Sequence, residues 1–440
     1  MPSSAGHVFR CALALDLGKA PVLDGGANCE RKTSCLQSEH GGFFSKSMKS
    51  IELFAGAGGL GLGIEKAGFD HSVVIERDPD ACATVRFNLS RRRNGHPSWP
   101  LHESDVRHFD FSTFADKVEL VSGGPPCQPF SIGGRHRGFN DSRDMFPEAA
   151  RVVRTVRPKA FIFENVRGLL RRSFAKYFEY VLLQLTYPEL VSAKHEDWTG
   201  HLGRLERHHT KGEYRGLHYR VAFRLVNAAD YGVPQKRERV VIVGFRFDIG
   251  EDWSFPSATH SEDALLFSQW VTNEYWDSHR ISRRSRPLIT KETALRVMKM
   301  PEPKGMERWQ TVRDATTGLP NPGVAEKEGI LNHRFQPGAR VYPGHTGSPL
   351  DFPAKTLKAG DHGVPGGENM LALADGSVRY FTVRESARLQ TFPDWFAFPC
   401  SWTESMRQIG NAVPVRLAQT IAKSVADVLQ RHQERINTCD

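Results

Sequence analysis

One short segment combines a nucleophile with a stiff backbone. Cys127 lies in the run Leu120-Val121-Ser122-Gly123-Gly124-Pro125-Pro126-Cys127-Gln128-Pro129-Phe130-Ser131. The apolar stretch at 118–121 predicts a buried strand, and the Gly-Gly-Pro-Pro that follows ends it, so we expect Cys127 on a loop. Because prolines on both sides restrict this loop, the thiol can be held at a defined distance from a substrate atom. The pattern indicates a nucleophilic cysteine rather than a small core residue.

A glycine-rich turn follows the first predicted strand, Ile51 to Phe54. It begins Ala55-Gly56-Ala57-Gly58-Gly59-Leu60-Gly61 and leads into a short helix, after which a second strand, 71–75, ends on Glu76. This order is the nucleotide-binding arrangement of a doubly wound sheet, in which glycines let the backbone approach the ligand and the carboxylate accepts ribose hydroxyls. The spacing fits GxGxxG, so the turn alone suits a nicotinamide enzyme about as well as a methyltransferase.

Chemically useful side chains recur where predicted parallel strands stop. Open α/β sheets bind ligands just outside the carboxyl ends of their strands, so one sheet edge can gather cofactor groups, a nucleophile and an acid. We therefore predict an α/β fold with a doubly wound, mostly parallel sheet. The side chains at these strand ends are Phe54, Glu76, Asp105, Cys127 and Glu164.

Several motifs, taken in chain order, resemble those of the cytosine-C5 methyltransferases. The resemblance covers roughly residues 48–430, apart from a variable region and an insertion at 171–218. It implies transfer of a methyl group from S-adenosyl-L-methionine to C5 of a flipped-out cytosine in double-stranded DNA, in the manner of bacterial restriction-modification enzymes. The motifs are FAGAGGLGLG from Phe54, PPCQPFS around Cys127, ENV from Glu164, QKRER from Gln235, Thr356-Leu357, RESARLQ from Arg384 and IGNAVP from Ile409.

The resemblance also implies a role for each matching position. Cys127 would add to C6 of the cytosine, and Glu164 would hydrogen-bond N3 and the exocyclic amine. Arg239 would neutralise charge at O2, and Arg237 would contact the backbone or neighbouring site residues, so these four are the predicted catalytic residues. The implied cofactor contacts are Phe54, Ala55, Gly56, Gly58, Gly59, Leu60, Glu76, Arg77, Asp105, Val106, Pro125, Asn411 and Val413. The implied DNA contacts are Gln128, Ser131, Arg135, Thr356 and Leu357.

Changes of sequence texture predict the organisation of the chain. Residues 1–47 have no sustained hydrophobic period and look like a poorly ordered leader, so Met48 is a candidate for the natural start. Residues 171–218 read as a solvated, basic loop. The predicted parts are a leader at 1–47, a first catalytic and cofactor-binding part at 48–254, a target-recognition domain at 255–380, a closing catalytic part at 381–432 and a tail at 433–440.

Composition restricts the class of protein. The seven cysteines are scattered and lack paired zinc-type spacings, which fits a reducing compartment and predicts no metal site. No apolar run approaches the eighteen residues of a membrane span. A net charge of +9 fits a polyanionic partner. We expect a cytoplasmic monomer that acts on duplex DNA, with a cognate restriction endonuclease as a possible partner.

Three other functions compete with this interpretation. A tRNA cytosine-C5 methyltransferase would share the catalytic frame, and assays on duplex DNA and on tRNA separate the two. An NAD-dependent oxidoreductase would explain the glycine turn but leave PPCQPFS, ENV and QKRER without roles. A non-catalytic DNA-binding homologue would normally lack the nucleophile or the acid, whereas Cys127 and Glu164 are both present.

Overall fold

A seven-stranded sheet, ordered β3-β2-β1-β4-β5-β7-β6, forms the centre of the protein in the computed structural model. The residues that the structure describes are 47–92, 98–126, 144–325, 329–341, 346–359 and 369–439. The strands of this sheet are β1 (Met48–Leu53), β2 (Phe69–Glu76), β3 (Leu101–Glu103), β4 (Leu120–Gly123), β5 (Ala160–Val166), β6 (Tyr219–Asn227) and β7 (Glu238–Arg246).

Two small two-stranded sheets and thirteen α-helices complete the described part of the chain. The short strands are β8 (His260–Ser261) with β9 (Glu307–Arg308), and β10 (Met370–Ala372) with β11 (Val378–Tyr380). The helices are α1 (Gly59–Lys66), α2 (Pro79–Ser90), α3 (Phe146–Val156), α4 (Ala175–Thr186), α5 (Trp198–Lys211), α6 (Glu262–Trp270), α7 (Glu274–Ser278), α8 (Lys291–Met298), α9 (Val312–Thr316), α10 (Pro322–Ala325), α11 (Val383–Leu389), α12 (Trp402–Asn411) and α13 (Val415–Cys439).

The sheet is mostly parallel and doubly wound, as the sequence predicts. Strands β1 to β5 pair in parallel, and β7 enters antiparallel between β5 and β6. Helices α3, α4 and α5 contribute to the core on one face, whereas α1 and α13 contribute to the core on the other. Because both faces are covered, β5 begins with the fully apolar run 160–163, which is typical of a central strand. Among the described residues, none of the helices has both the length and the apolar character that crossing a membrane requires.

Helix α1 and helix α13 pack closely, which ties the two ends of the described chain together. A Cβ atom added at Gly63 would lie 2.4 Å from Cβ of Ala418 and 2.7 Å from the carbonyl oxygen of Val415. Real Cβ atoms do not approach other heavy atoms so closely, so any larger residue would force the helices apart. Gly63, the last glycine of the FAGAGGLGLG motif, therefore serves the packing of α1 against α13.

Two stretches differ from the sequence-based expectation. The segment 171–218, predicted as a solvated loop, contains α4 and α5, and Leu202 and Leu205 of α5 lie in the core. The segment 433–439, predicted as a tail, continues helix α13. The division into a catalytic part and a recognition domain at 255–380 stays a prediction.

A carboxyl group lies inside the sheet, away from solvent. Glu52 of β1 is fully buried and forms a hydrogen bond with Ser122, its register partner on β4. Burial raises the pKa of Glu52 from 4.5 to about 8. A neutral Glu52 can donate to Ser122, which leaves the Ser122 hydroxyl to donate to the carbonyl oxygen of Ile51 at 3.3 Å. Glu52 is therefore protonated at neutral pH.

Replacing Glu52 by glutamine is expected to stabilise the protein at neutral pH. In an unfolded chain the carboxyl ionises near 4.5, whereas in the folded protein it does so near 8. The contribution of Glu52 to the free energy of unfolding is therefore fully present below pH 4.5, and it is lost as the pH rises from 4.5 to 8. Glutamine keeps an N–H donor for Ser122 and has no proton to lose. Between pH 5 and pH 7, the free energy of unfolding of Glu52→Gln should rise by about 3 kcal/mol relative to that of wild type, at roughly 1.4 kcal/mol per pH unit.

Denaturant unfolding at the two pH values measures this gain. Glu206→Gln, a partly exposed position on α5, controls for the general effect of removing a negative charge. If the stability difference between Glu52→Gln and wild type is the same at pH 5 and pH 7, Glu52 does not carry the proposed proton.

Candidate functional site

A cleft of about 370 Å³ opens at the carboxyl ends of β1, β2, β4 and β5. Its walls come from the turns after these strands and from the corner between α12 and α13. Of the predicted cofactor contacts, all except Gly58 line this cleft. Gly58 faces away from it, since a Cβ there would meet the Trp99 ring at 2.8 Å. Of the side chains predicted at strand ends, four line the cleft and Cys127 lies outside the described residues; their individual roles stay predictions.

The turn after β1 has a backbone shape that leaves room for a ligand. Phe54 and Gly56 both have φ of +54°, and a Cβ at Gly56 would meet nothing within 4 Å. A phenylalanine with positive φ is strained, and such strain clusters at binding sites. The turn is held by the backbone N–H of Ala55, which donates to the Ile75 carbonyl at 3.1 Å. Backbone and an aromatic ring are thus both presented to the cleft.

Three backbone N–H groups fix the carboxylate of Glu76. Gly56 donates to Oε2 at 2.7 Å, and Arg77 and Asp78 donate to Oε1 at 2.8 and 2.7 Å. A carboxylate offers about four acceptor positions, so one remains on Oε2 for a ligand hydroxyl. Because Glu76 ends β2 and lines the cleft, it fits the ribose-binding role that the sequence predicts.

Asp105 is a permanently charged acceptor on the same wall. Arg107 donates to it through two side-chain nitrogens, at 2.9 and 2.6 Å, and Arg77 lies 3.6 Å away. The hydrogen bonds from Arg107 hold the pKa of Asp105 well below its usual range. An ionised carboxylate at this position can accept a hydrogen bond from an amino group such as that of adenine.

Glu164 and Arg239 form an ion pair at the edge of the cleft. Nε of Arg239 lies 2.6 Å from Oε1 of Glu164, and both side chains are only 11% exposed. Antiparallel pairing of β5 with β7 brings them together, with Arg239 opposite Val166. Burial lowers the pKa of Arg239, and the charge of Glu164 partly offsets this. A carboxyl and a guanidinium at one point can bind the adjacent polar atoms of a planar base.

Asn165 connects this pair to the loop that carries the predicted nucleophile. Its side-chain amide is buried and donates to the carbonyl oxygen of Pro125 at 3.0 Å. Pro125 and Pro126 line the cleft next to Glu164. The residue that follows is Cys127, which lies outside the described residues, as do Gln128, Ser131 and Arg135. The chain thus reaches the cleft one residue before the predicted nucleophile.

Arg237 lies behind the cleft rather than in it. Its guanidinium is fully buried and donates to the carbonyl oxygens of Leu357, Gly410 and Ala412 at 3.0, 2.7 and 2.9 Å. Burial lowers its pKa well below the usual value. All three contacts are with carbonyl groups of the protein, and the catalytic role predicted for Arg237 stays a prediction. Arg237 instead joins β7 to the α12 corner.

The Thr-Leu element is attached to the same segment of chain. The Thr356 hydroxyl donates to the Lys236 carbonyl at 2.6 Å, and the backbone N–H of Leu357 donates to the Gln235 side chain at 2.9 Å. Leu357 is buried, and Thr356 is half-buried. Neither lines the cleft, so their predicted DNA contacts stay predictions.

Sequence reasoning missed several residues of the cleft wall. Asn165 stands inside the ENV motif and could have been chosen for its position beside Glu164. Asp78, Arg407 and Gln408 carry no such signal, because their place depends on long-range packing of α12 against the start of α2.

Comparison with known proteins agrees with this geometry. Residues 48–187 and 205–427 match the family of C-5 cytosine-specific DNA methylases. The chain is 32% identical over 388 residues to the Type II methyltransferase M.Eco47II of Escherichia coli, covering 88% of this chain and 80% of that protein. It is 29% identical to M.NgoMIV of Neisseria gonorrhoeae, covering 87% of this chain and 98% of that one.

A solved structure shares the fold. It is assigned as a DNA modification methyltransferase encoded within an E. coli prophage, with a TM-score of 0.53 and 22% identity, covering 87% of this chain and 100% of the other. The family match extends over most of the sequence, including every strand of the central sheet. The chain therefore belongs to the family of C-5 cytosine-specific DNA methylases.

Proposed function

We propose that this protein methylates C5 of a cytosine flipped out of duplex DNA, that Cys127 forms a covalent bond to the base, and that the enzyme is the modification partner of a restriction endonuclease (EC 2.1.1.37). The coarser activity, S-adenosylmethionine-dependent C-5 cytosine methylation, follows from the family. The observation that carries the finer proposal is the Glu164–Arg239 pair beside the loop that leads to Cys127. The Type II names of the relatives support the restriction-modification setting.

The cleft fits S-adenosylmethionine. Glu76 retains an acceptor position for the ribose, Asp105 presents an ionised acceptor for the adenine amine, and Gly56 leaves open space. When bound, this cofactor supplies an electrophilic methyl group on a sulfonium. The walls nearest Glu164, including Pro125, would face that group.

Glu164 and Arg239 would help to activate the cytosine ring, whose C5 is otherwise a poor nucleophile. Addition of the Cys127 thiolate to C6 forms a C–S bond and shifts the ring electrons towards C5 and N3. Glu164 would share a proton with N3 and accept from the exocyclic amine, and Arg239 would bind O2 as charge develops there. After methylation, loss of the C5 proton to water and departure of the thiolate from C6 restore the aromatic ring.

The base must leave the duplex to reach this pair. Glu164 and Arg239 are almost buried, and a base stacked inside DNA presents neither C6 nor N3 to a protein side chain. Expression of the protein in a host that lacks other methylases, followed by bisulfite sequencing of the genome, tests the proposal. We expect 5-methylcytosine at one short recurring sequence. Unmodified genomic DNA together with methylated tRNA would contradict the proposal.

A strongly basic, exposed segment supports a DNA-contacting role for the predicted recognition region. Residues 280–304, here called the basic lobe, carry eight Arg and Lys residues against two glutamates. Leu288 is 98% exposed and Met298 is 83% exposed, so apolar groups stand beside the charges. Phosphates provide the complementary charge for such a surface. The basic side chains are Arg280, Arg283, Arg284, Arg286, Lys291, Arg296, Lys299 and Lys304.

A chain of ion pairs connects the basic lobe to the cleft side of the sheet. Arg296 of α8 pairs with Asp263 and lies 3.9 Å from Glu262, both on α6. Lys236 lies 3.8 Å from Glu262 and precedes β7, which begins at the edge where β5 ends. The basic lobe is therefore linked to the segment that carries Arg239.

Removing three exposed charges from the basic lobe should weaken DNA binding and make it less salt-dependent. We choose Arg283→Gln, Arg284→Gln and Lys299→Gln together. The slope of log affinity against log salt should become shallower by about 0.9 for each phosphate that the protein no longer neutralises. Fluorescence anisotropy with duplex DNA at several salt concentrations measures this slope. The control removes Arg207 and Lys211, exposed on α5 outside the cleft; an equal effect in both variants would rule out a specific role for the basic lobe.

Glu76→Ala should weaken S-adenosylmethionine binding and leave DNA affinity nearly unchanged. A ribose hydroxyl loses a charged acceptor, which costs about 1.5 to 3 kcal/mol. Calorimetry on the cofactor-free protein measures the change. Glu76→Gln keeps the side-chain size and one acceptor oxygen, but its NH2 group would face a backbone N–H that now donates to Glu76, so it should weaken binding less than alanine does. Unaltered cofactor affinity in the alanine variant would remove Glu76 from the site.

Cys127→Ser should abolish methyl transfer while folding, cofactor binding and DNA binding persist. Serine has nearly the same volume, but its hydroxyl hardly ionises where a thiol titrates at about 8.5. Duplex DNA with 5-fluorocytosine at the target should trap the wild-type protein, because fluorine cannot leave C5 as a proton does. Denaturing electrophoresis detects the adduct.

The serine variant is the control for trapping and should give no adduct. Two results would show that Cys127 is not the nucleophile: full activity of Cys127→Ser, or active wild-type protein that forms no adduct with the fluorinated DNA.

A further inference from the structure

Arg407 of α12 joins the two walls of the cofactor cleft. Its Nη2 donates to Asp78 Oδ2 at 2.8 Å and to Glu404 Oε1 at 2.6 Å, and its Nε donates to Glu404 Oε2 at 2.7 Å. Arg407 and Asp78 are 329 positions apart in sequence, and both line the cleft. The contact therefore spans from the α12 wall to the turn that carries Glu76.

Asp78 connects Arg407 to Glu76. Its backbone N–H donates to Oε1 of Glu76 at 2.7 Å, and its own Oδ1 accepts from the backbone N–H of Ala81 at 2.9 Å as the N-cap of α2. The side chain of Asp78 thus accepts from Arg407 and caps α2, while the backbone N–H of Asp78 donates to the carboxylate of Glu76. A shift of Asp78 would move Glu76.

Arg407 is surrounded by carboxylates. Its guanidinium donates to the carboxylates of Asp78 and Glu404. The carboxylate of Asp80 is also near, because one oxygen each of Asp78, Asp80 and Glu404 lie within 4.8 Å of one another. These surrounding negative charges raise the pKa of Arg407, chiefly through its hydrogen bonds to Glu404. Two of its guanidinium nitrogens, Nε and Nη2, are thus engaged by the carboxylates of Glu404 and Asp78.

The far end of α2 is docked independently of this contact. The Asn88 side chain is buried, donates to the Ala397 carbonyl at 2.7 Å and accepts from the Ala397 N–H at 2.7 Å. Loss of Arg407 would leave this attachment in place. Only the end of α2 that faces the cleft would gain freedom.

We propose that Arg407 and Asp78 form a clasp that fixes Glu76 for S-adenosylmethionine, so that both are positioning residues for the cofactor. This inference rests on the role proposed above for Glu76. With the clasp intact, the ribose acceptor is preorganised before the cofactor arrives. Without it, the acceptor must be ordered on binding, and the bound cofactor is released faster.

Asp78→Asn and Arg407→Gln test the clasp, singly and together. Asparagine keeps the N-cap of α2, so this variant removes only the charge contact. Each single variant should raise the dissociation constant for S-adenosylmethionine about three- to tenfold, mainly through a faster off-rate. The double variant should bind no more weakly than Arg407→Gln alone, because the two groups act through one interaction. Calorimetry and stopped-flow fluorescence measure these constants.

Four further tests separate positioning from a structural effect. The turnover rate at saturating cofactor should stay within about twofold of wild type, so that the KM for the cofactor carries the change. The melting temperature of the cofactor-free variants should match wild type. Arg407→Lys, which keeps a charge near Asp78, should recover part of the affinity. Arg86→Gln breaks an exposed pair with Glu103 on the same helix and should leave cofactor binding unchanged.

The reference variant Glu76→Ala distinguishes the possible failures. If it weakens cofactor binding but Asp78→Asn and Arg407→Gln do not, the clasp is wrong and the site assignment stands. If Glu76→Ala has no effect, the assignment of Glu76 fails first. Additive effects of the two clasp variants, or a drop in the stability of the cofactor-free protein that parallels the drop in affinity, would also overturn the clasp.

Discussion

The parallel pairing of β1 with β2 on one side and β4 on the other is the constraint on which the site depends. The register places Leu53 opposite both Ile75 and Gly123. The next residues along each strand, Phe54, Glu76 and Gly124, therefore emerge at one level of the sheet. A shift of a single residue would turn each side chain to the opposite face, so the buried core on both faces enforces this alignment.

The antiparallel entry of β7 adds what parallel strands cannot provide. Its first residues lie at the edge where β5 ends, so Arg239 meets Glu164 without a long connection. Taking both charges out of water is costly, and an apolar pair of equal volume would often stabilise a fold as well or better. Stability alone therefore does not account for the pair, which is consistent with the base-binding role proposed above. Arg237, two residues earlier, uses a buried guanidinium to secure the backbone around the cleft.

The sequence predicts what depends on local pattern. The strand predicted before the glycine turn and the strand predicted to end on Glu76 are β1 and β2, and the glycine turn, Glu76 and Asp105 all reach the cleft. The prediction is wrong where the pattern is ambiguous. In α5, many His and Arg residues obscure the apolar positions Leu202 and Leu205. After residue 432, no Gly or Pro marks an end to α13. Asp78 and Arg407 could not be paired from sequence, because no local rule relates positions 329 residues apart. The predicted loop position of Cys127 depends on the Gly-Gly-Pro-Pro pattern alone and stays a prediction, because Cys127 lies outside the described residues.

The contact between α1 and α13 has a consequence for biosynthesis. Helix α1 follows the first strand of the sheet, yet Gly63 packs against Ala418, a residue that is translated much later. Contacts of such high sequence separation form late, because the intervening chain must first be available. While the nascent chain still lacks α13, the apolar side chains of Leu60 and Ile64 on α1 are not yet covered by Leu417 and Ile421. A chain in this state is open to aggregation or chaperone capture until α13 has been made.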